Sequence, residues 1–138
     1  MNHLIRTAAA AVALPAAALL LAAGPAQALP GAARDGDYLY LSVTRGEDGS
    51  GGTRGTLLLC DPPQGHPRAA DACAELGAVG GDVARLTPAE GAMCPMVYAP
   101  VTARARGQWN GRPVDYRETF SNSCGMAART GSVFALDG

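Results

Sequence analysis

The side chains with chemistry to offer in this sequence are few. They are Cys60, Cys73, Cys94 and Cys124, two histidines at positions 3 and 66, and scattered carboxylates and arginines. A zinc site needs close ligand pairs such as C-x-x-C, whereas these cysteines stand 13, 21 and 30 positions apart. No metal and no cofactor is expected. Nucleophilic catalysis fares no better. His66, in Gly65-His66-Pro67, is the one histidine beyond the N-terminal region, so any nucleophile–base pair would have to use it. It reads as a surface residue of a turn-rich loop. Gly49-Ser50-Gly51 is not a nucleophile elbow, because Asp48 occupies the first glycine position of G-x-S-x-G. All eleven basic residues are arginines, which removes Schiff-base chemistry and any P-loop lysine, and the acidic residues form no evident pair for glycoside chemistry. An enzyme is not expected. The formal net charge of -1 also offers no field for nucleic acid or a membrane surface.

The N-terminus gives the cysteines a compartment. Arg6 carries the positive charge ahead of an Ala/Leu-rich run from Ala8 to Ala23, and Ala26-Gln27-Ala28 fits the small-x-small pattern of signal cleavage. The run is short for a membrane span and Pro15 interrupts it. The expected organisation is a removed signal peptide over residues 1–28 and one secreted domain over 29–138. Four cysteines in an exported chain imply two disulfides, with three connectivities open.

The elements that must position these residues narrow the choice. Asn110-Gly111 is the dipeptide preferred in two-residue type I′ turns, and Val101 to Phe120 reads as a hairpin around it. That turn sets Val101 against Phe120, Ala105 against Tyr116 and Gly107 against Val114 on one side. Thr102 faces Thr119 and Arg106 faces Asp115 on the other. Arg104 opposite Arg117, and Glu118 on the apolar side, fit less well. The register brings Cys94 and Cys124 just beyond the same hairpin end, close enough to bond, and leaves Cys60 with Cys73. Elsewhere, Tyr38–Arg45 and Thr53–Cys60 read as strands, the latter buried on both faces through Leu57-Leu58-Leu59. Gly46 to Gly52 is a turn or mobile loop, and Asp61 to His66 a turn. Pro67 opens a helix to about Leu76, and Ser132 to Leu136 reads as a last short strand.

The segment from Thr87 to Pro100 is the most unusual. Thr87-Pro88-Ala89-Glu90 resembles a capping box, but Gly91 and Pro95 stop any helix it starts. Met93-Cys94-Pro95-Met96-Val97-Tyr98-Ala99-Pro100 follows, with each proline biasing its predecessor toward extended backbone. Composition alone favours a buried edge strand. The density of conformational locks argues instead for a loop kept rigid for a purpose.

Cys94-Pro95-Met96-Val97-Tyr98, Gly80-Gly81-Asp82, Phe120-Ser121-Asn122 and Ser132-Val133-Phe134, in that order and spacing, closely resemble the Streptomyces subtilisin inhibitor-like family of secreted serine-protease inhibitors. The resemblance runs from about Tyr38 to Leu136. It implies an α+β fold, a five-stranded antiparallel sheet with two short helices on one face, dimerisation through the sheet, and the disulfide pairing argued above. It further implies a loop presented to a subtilisin-like protease as a substrate, with the scissile bond at Met96–Val97. Met96 would fill the primary specificity pocket, with Ala92, Met93, Cys94, Pro95 and Tyr98 contacting the enzyme. Asn122 corresponds to the family's loop-supporting asparagine; a helix cap after it is an equal reading of the same residue. An unbranched apolar Met96 suits a roomy apolar pocket and cannot pair with the buried carboxylate of a trypsin-like one.

The chain departs from the family pattern at Ala99, where aspartate is common, and at Ser123, where glutamate is common. Its Cys60–Cys73 loop looks about two residues shorter, a count that rests on the resemblance. Asp137-Gly138 says little. The alternative functions are a secreted non-inhibitory binding module on the same fold and a regulator of a co-secreted metalloprotease.

Overall fold

The computed structural model describes residues 36–138. The expected signal peptide and a mature start near Leu29 lie outside these residues. Five strands form one antiparallel sheet: β1 Tyr38–Arg45, β2 Thr53–Cys60, β3 Pro63–Gln64, β4 Val101–Trp109 and β5 Arg112–Phe120, in the spatial order β3-β2-β1-β4-β5. Two helices, α1 Ala69–Ala78 and α2 Ser123–Thr130, and a 3-10 turn at Val83–Arg85 complete the described part.

Period-2 alternation decides which face is covered. In β1, Leu39, Leu41 and Val43 are buried while Tyr40 between them is exposed. Leu58, Ala103 and Ala105 join the same core from the neighbouring strands, with Ala72 and Leu76 from α1 and Met126 from α2. The helices therefore cover one face, and among the described residues nothing covers the other. Leu57, paired with Tyr40 in the sheet, projects from that open face and is 45% exposed. The expected two-sided burial of Leu57-Leu58-Leu59 is thus corrected: among the described residues only one face of β2 has a layer above it.

The hairpin register is the one the turn dictates. Val101 pairs with Phe120 and every pair follows to Trp109 with Arg112, around Asn110 at φ 48° and Gly111 at φ 73°. Asp115 resolves the Arg104–Arg117 opposition, approaching Arg104 at 3.8 Å and Arg106 at 3.6 Å. Glu118 on the apolar side accepts the Tyr116 hydroxyl at 2.6 Å, so its carboxylate is not left bare. Gly81, at φ 79°, lies so close under Trp109 that a Cβ there would meet the indole.

Other elements differ from expectation. Ser132 to Leu136 forms no strand. Its donors are used in local turns, Val133 N–H to Thr130 O and Ala135 N–H to Ser132 O, while Val133 and Phe134 plug the core. Helix α1 begins two residues after Pro67 and runs past Leu76 to Ala78, and the turn region contributes the short strand Pro63–Gln64. His66 is buried, not a surface residue: its Nδ1 accepts from Arg68 N–H at 2.9 Å and its Nε2 lies 3.1 Å from Val133 O. It acts as a polar rivet between the α1 entrance and the C-terminal segment. Asp137, given no part by the sequence, pairs with Arg45 and Arg54 across the β1–β2 end of the sheet.

Both disulfides follow the expected pairing, with Cα–Cα separations of 5.5 Å for Cys60–Cys73 and 5.6 Å for Cys94–Cys124. The first ties β2 to α1. The second ties the long 3-10-to-β4 connection to the first turn of α2.

Candidate functional site

That connection ends in the site. From Ala92 to Ala99 the backbone belongs to no helix or strand, and Met93, Met96, Val97 and Tyr98 all stand out in solvent. Met96 is as exposed as a residue can be, at 104%, and Met93 is at 94%. A run of large apolar side chains in water opposes the hydrophobic effect and marks an interaction surface. The reading as a buried edge strand is therefore excluded.

The loop is exposed but not loose, and three elements hold it. On its upstream side, Ala89 N–H donates to Ala128 O at 2.7 Å, and Cys94 is covalently joined to Cys124. Beneath its centre lies Asn122, in extended backbone at the start of α2. Its Nδ2 donates to Pro95 O at 3.1 Å and to Val97 O at 2.9 Å. Its Oδ1 accepts from Gly125 N–H at 2.8 Å. One carboxamide is therefore both helix cap and loop support, and the two readings of Asn122 describe its two ends. Downstream, Ala99 N–H donates to Ser121 O at 2.8 Å and Pro100 O accepts from Gly46 N–H at 2.9 Å.

The β1–β2 turn adds a contact that the sequence did not reveal. Tyr98 Oη donates to Glu47 Oε1 at 2.5 Å. That bond, with the carboxylate's charge behind it, raises the phenol's pKa above its ordinary value. Glu47 lies in a glycine-rich turn with no local signal of function. What carries it to the loop is the long-range pairing of β1 with β4, which sets Arg45 opposite Val101 and so brings the next residues beside Pro100.

Ala92, Met93, Cys94, Pro95, Met96, Val97 and Tyr98 thus form one ridge, exposed except at the half-buried Cys94, and Asn122 lies below it. Cys60 and Cys73 belong to the β2–α1 junction, and Ser123 opens α2 beside the cap. A shallow groove between the ridge and the body is lined by Thr119, Phe120 and Gly125. The polar groups that meet the ridge are a carboxamide, backbone amides and carbonyls, and Glu47, whose carboxylate already accepts from Tyr98. Such an array offers no activated nucleophile. It presents an ordered peptide segment to something else's cleft.

Comparison with known proteins agrees with that geometry. The family model described as subtilisin inhibitor-like matches residues 35–122. A Streptomyces avermitilis protein is 52% identical over 124 residues, covering 90% of this chain and 84% of its own. The subtilisin inhibitor of Streptomyces albogriseolus is 46% identical over 130 residues, covering 88% of this chain and 89% of its own. Among solved structures, Streptomyces caespitosus sermetstatin in complex with Bacillus licheniformis subtilisin is similar with a TM-score of 0.60 and 37% identity. The match covers 71% of this chain and 96% of that one. With a matched family model over most of its length and relatives this similar, the chain belongs to the subtilisin inhibitor-like family.

Proposed function

We propose that this protein is a secreted inhibitor of subtilisin-like serine proteases, and not itself an enzyme, which offers the Met96–Val97 bond as a substrate that is cut slowly and resealed. The observation that carries this reading is the contrast at Met96. Its side chain is wholly in solvent, while the carbonyls of the residues on either side of it are both held by Asn122.

Preorganisation turns that contrast into affinity. A loop already ordered loses little conformational freedom on docking, so more of the contact energy survives as binding. Burying the Met96 side chain in the protease's primary pocket contributes about 1.5–3 kcal/mol. Ala92, Met93, Cys94 and Pro95 would line the cleft before the bond, and Tyr98 beyond it. After attack on the Met96 carbonyl, the acyl side stays anchored through Cys94–Cys124. The new amine at Val97 stays near through the Asn122 and Ser121 hydrogen bonds. Religation then competes with water.

Secretion is supported by the two disulfides and by the N-terminal pattern of the sequence. A homodimer is supported by the uncovered sheet face, where Tyr40 and Leu57 remain half exposed. The test of function is titration of active-site-quantified subtilisin. A sharp one-to-one end point supports the inhibitor, and continued proteolysis at excess protein would leave only a binding module.

A further inference from the structure

The contacts beyond the bond suggest how the leaving segment is retained. Val97 is gripped by Asn122, whereas Tyr98 is largely exposed and its hydroxyl is met by Glu47. The same turn holds Pro100 through Gly46 N–H. Its base is fixed by Arg45 N–H to Gly52 O at 2.9 Å, and Arg45 in turn pairs with Asp137. The turn is thus a braced arm reaching the downstream half of the loop, separate from the Asn122 and Ser121 contacts made beside α2.

Resting on the inhibitory reading above, we propose that Glu47 is a positioning residue for resealing: it holds Tyr98, and through it the Val97 amine, in place while the bond is open. A charge-assisted bond to the phenol restricts Tyr98, the large exposed side chain of the downstream segment. Losing it leaves the intact loop ordered by Asn122 and the disulfide; the cut segment, then held only by the Asn122, Ser121 and Gly46 bonds, strays more often, and water reaches the acyl-enzyme sooner. The effect belongs to the lifetime of inhibition more than to initial affinity.

The experiment compares the oxidised mature protein with Glu47→Ala and Glu47→Gln, each also in a Tyr98→Phe background. The readouts are the steady rate at which subtilisin consumes the inhibitor, the inhibition constant and the melting temperature. Glu47→Ala should raise the rate of net hydrolysis about threefold to tenfold, the weight of one hydrogen bond whose charge is screened by solvent, at an unchanged melting temperature. Glu47→Gln, whose amide oxygen can still accept from Tyr98, should recover most of the loss. In the Tyr98→Phe background, Glu47→Ala should add nothing further. Equal hydrolysis of wild type and Glu47→Ala, or an effect that persists without the Tyr98 hydroxyl, would overturn the proposal. A second readout stands apart from inhibition. Amide exchange at Ala99, bonded to Ser121 O, should quicken in Glu47→Ala once the Met96–Val97 bond is cut and not before, and unchanged exchange in the cut form counts against the clamp even if the protein inhibits nothing.

Discussion

Asn122 donates to the carbonyl of Val97 at 2.9 Å from one end of its carboxamide while the other end caps helix α2 at Gly125. Helix and loop are thereby registered to each other through a single planar group. Substitution can separate the two tasks. Asn122→Asp keeps the acceptor that caps the helix and removes the donor, so stability should hold within about 0.5 kcal/mol. Loss of two hydrogen bonds of about 1 kcal/mol each should weaken inhibition roughly thirtyfold. Asn122→Ala should do both, costing about 1 kcal/mol of stability as well. Urea denaturation and inhibition constants for the pair check this. If Asn122→Asp inhibits like the wild type, the carbonyl contacts are incidental.

The side chain at position 96 should set the enzyme preference. Met96→Arg exchanges an apolar filler for a cation matched to a buried carboxylate. Inhibition of trypsin should strengthen by roughly a hundredfold, about 3 kcal/mol for a charge-assisted bond, with the fold unchanged. Equal trypsin inhibition before and after the change would remove Met96 from the primary position.

The two disulfides should divide between function and stability. Each closes a loop worth about 3 kcal/mol in the chain-entropy model, slightly more for Cys94–Cys124. Replacing Cys60 and Cys73 by serine should lower the melting temperature and leave the inhibition constant at low temperature unaltered. Replacing Cys94 and Cys124 should also convert the protein into a substrate consumed by subtilisin. Mass spectrometry of the digests distinguishes the two; slow, single-site cleavage in both pairs would contradict the division.

His66 should give stability a dependence on pH near neutrality. Burial lowers its pKa below the ordinary 6.5, against the opposing pull of the Val133 carbonyl and with a lesser contribution from the Arg68 charge. The unfolded chain therefore takes up the proton more readily than the folded one. Stability is complete above about pH 6.5 and declines as pH falls below it, because a protonated Nδ1 would face the Arg68 N–H it now accepts from. Urea midpoints between pH 8 and pH 5 should show the decline, and His66→Gln should flatten it. A wild-type midpoint that rises on acidification would reverse the assignment.

What could be read from the sequence was whatever local chemistry dictates. Asn110-Gly111 has one favoured turn, and the turn fixes the whole β4–β5 register and, through it, the nearness of Cys94 to Cys124. Leu39, Leu41 and Val43 alternate with polar or aromatic partners and declare one buried face. The failures share a different cause. Val133-Phe134 has the composition of a strand, but its backbone closes in local turns while the two side chains plug the core beneath the helices. His66 and Glu47 sit in turns, and only tertiary placement buries the first and brings the second to Tyr98. The loop itself was ambiguous by composition, since Met, Val and Tyr suit a core as well as a cleft. The locks around it, two prolines and a disulfide, were the better guide.

The central claim is that the loop is a substrate kept from leaving. It is tested most directly by incubating subtilisin with a modest excess of the oxidised mature protein and following both free activity and the mass of the inhibitor over hours. The account requires stoichiometric loss of activity and a single slowly formed cleaved species, cut between Met96 and Val97, which itself inhibits and partly reverts to intact chain. Rapid fragmentation at several sites, or full activity beside an intact protein, would contradict it.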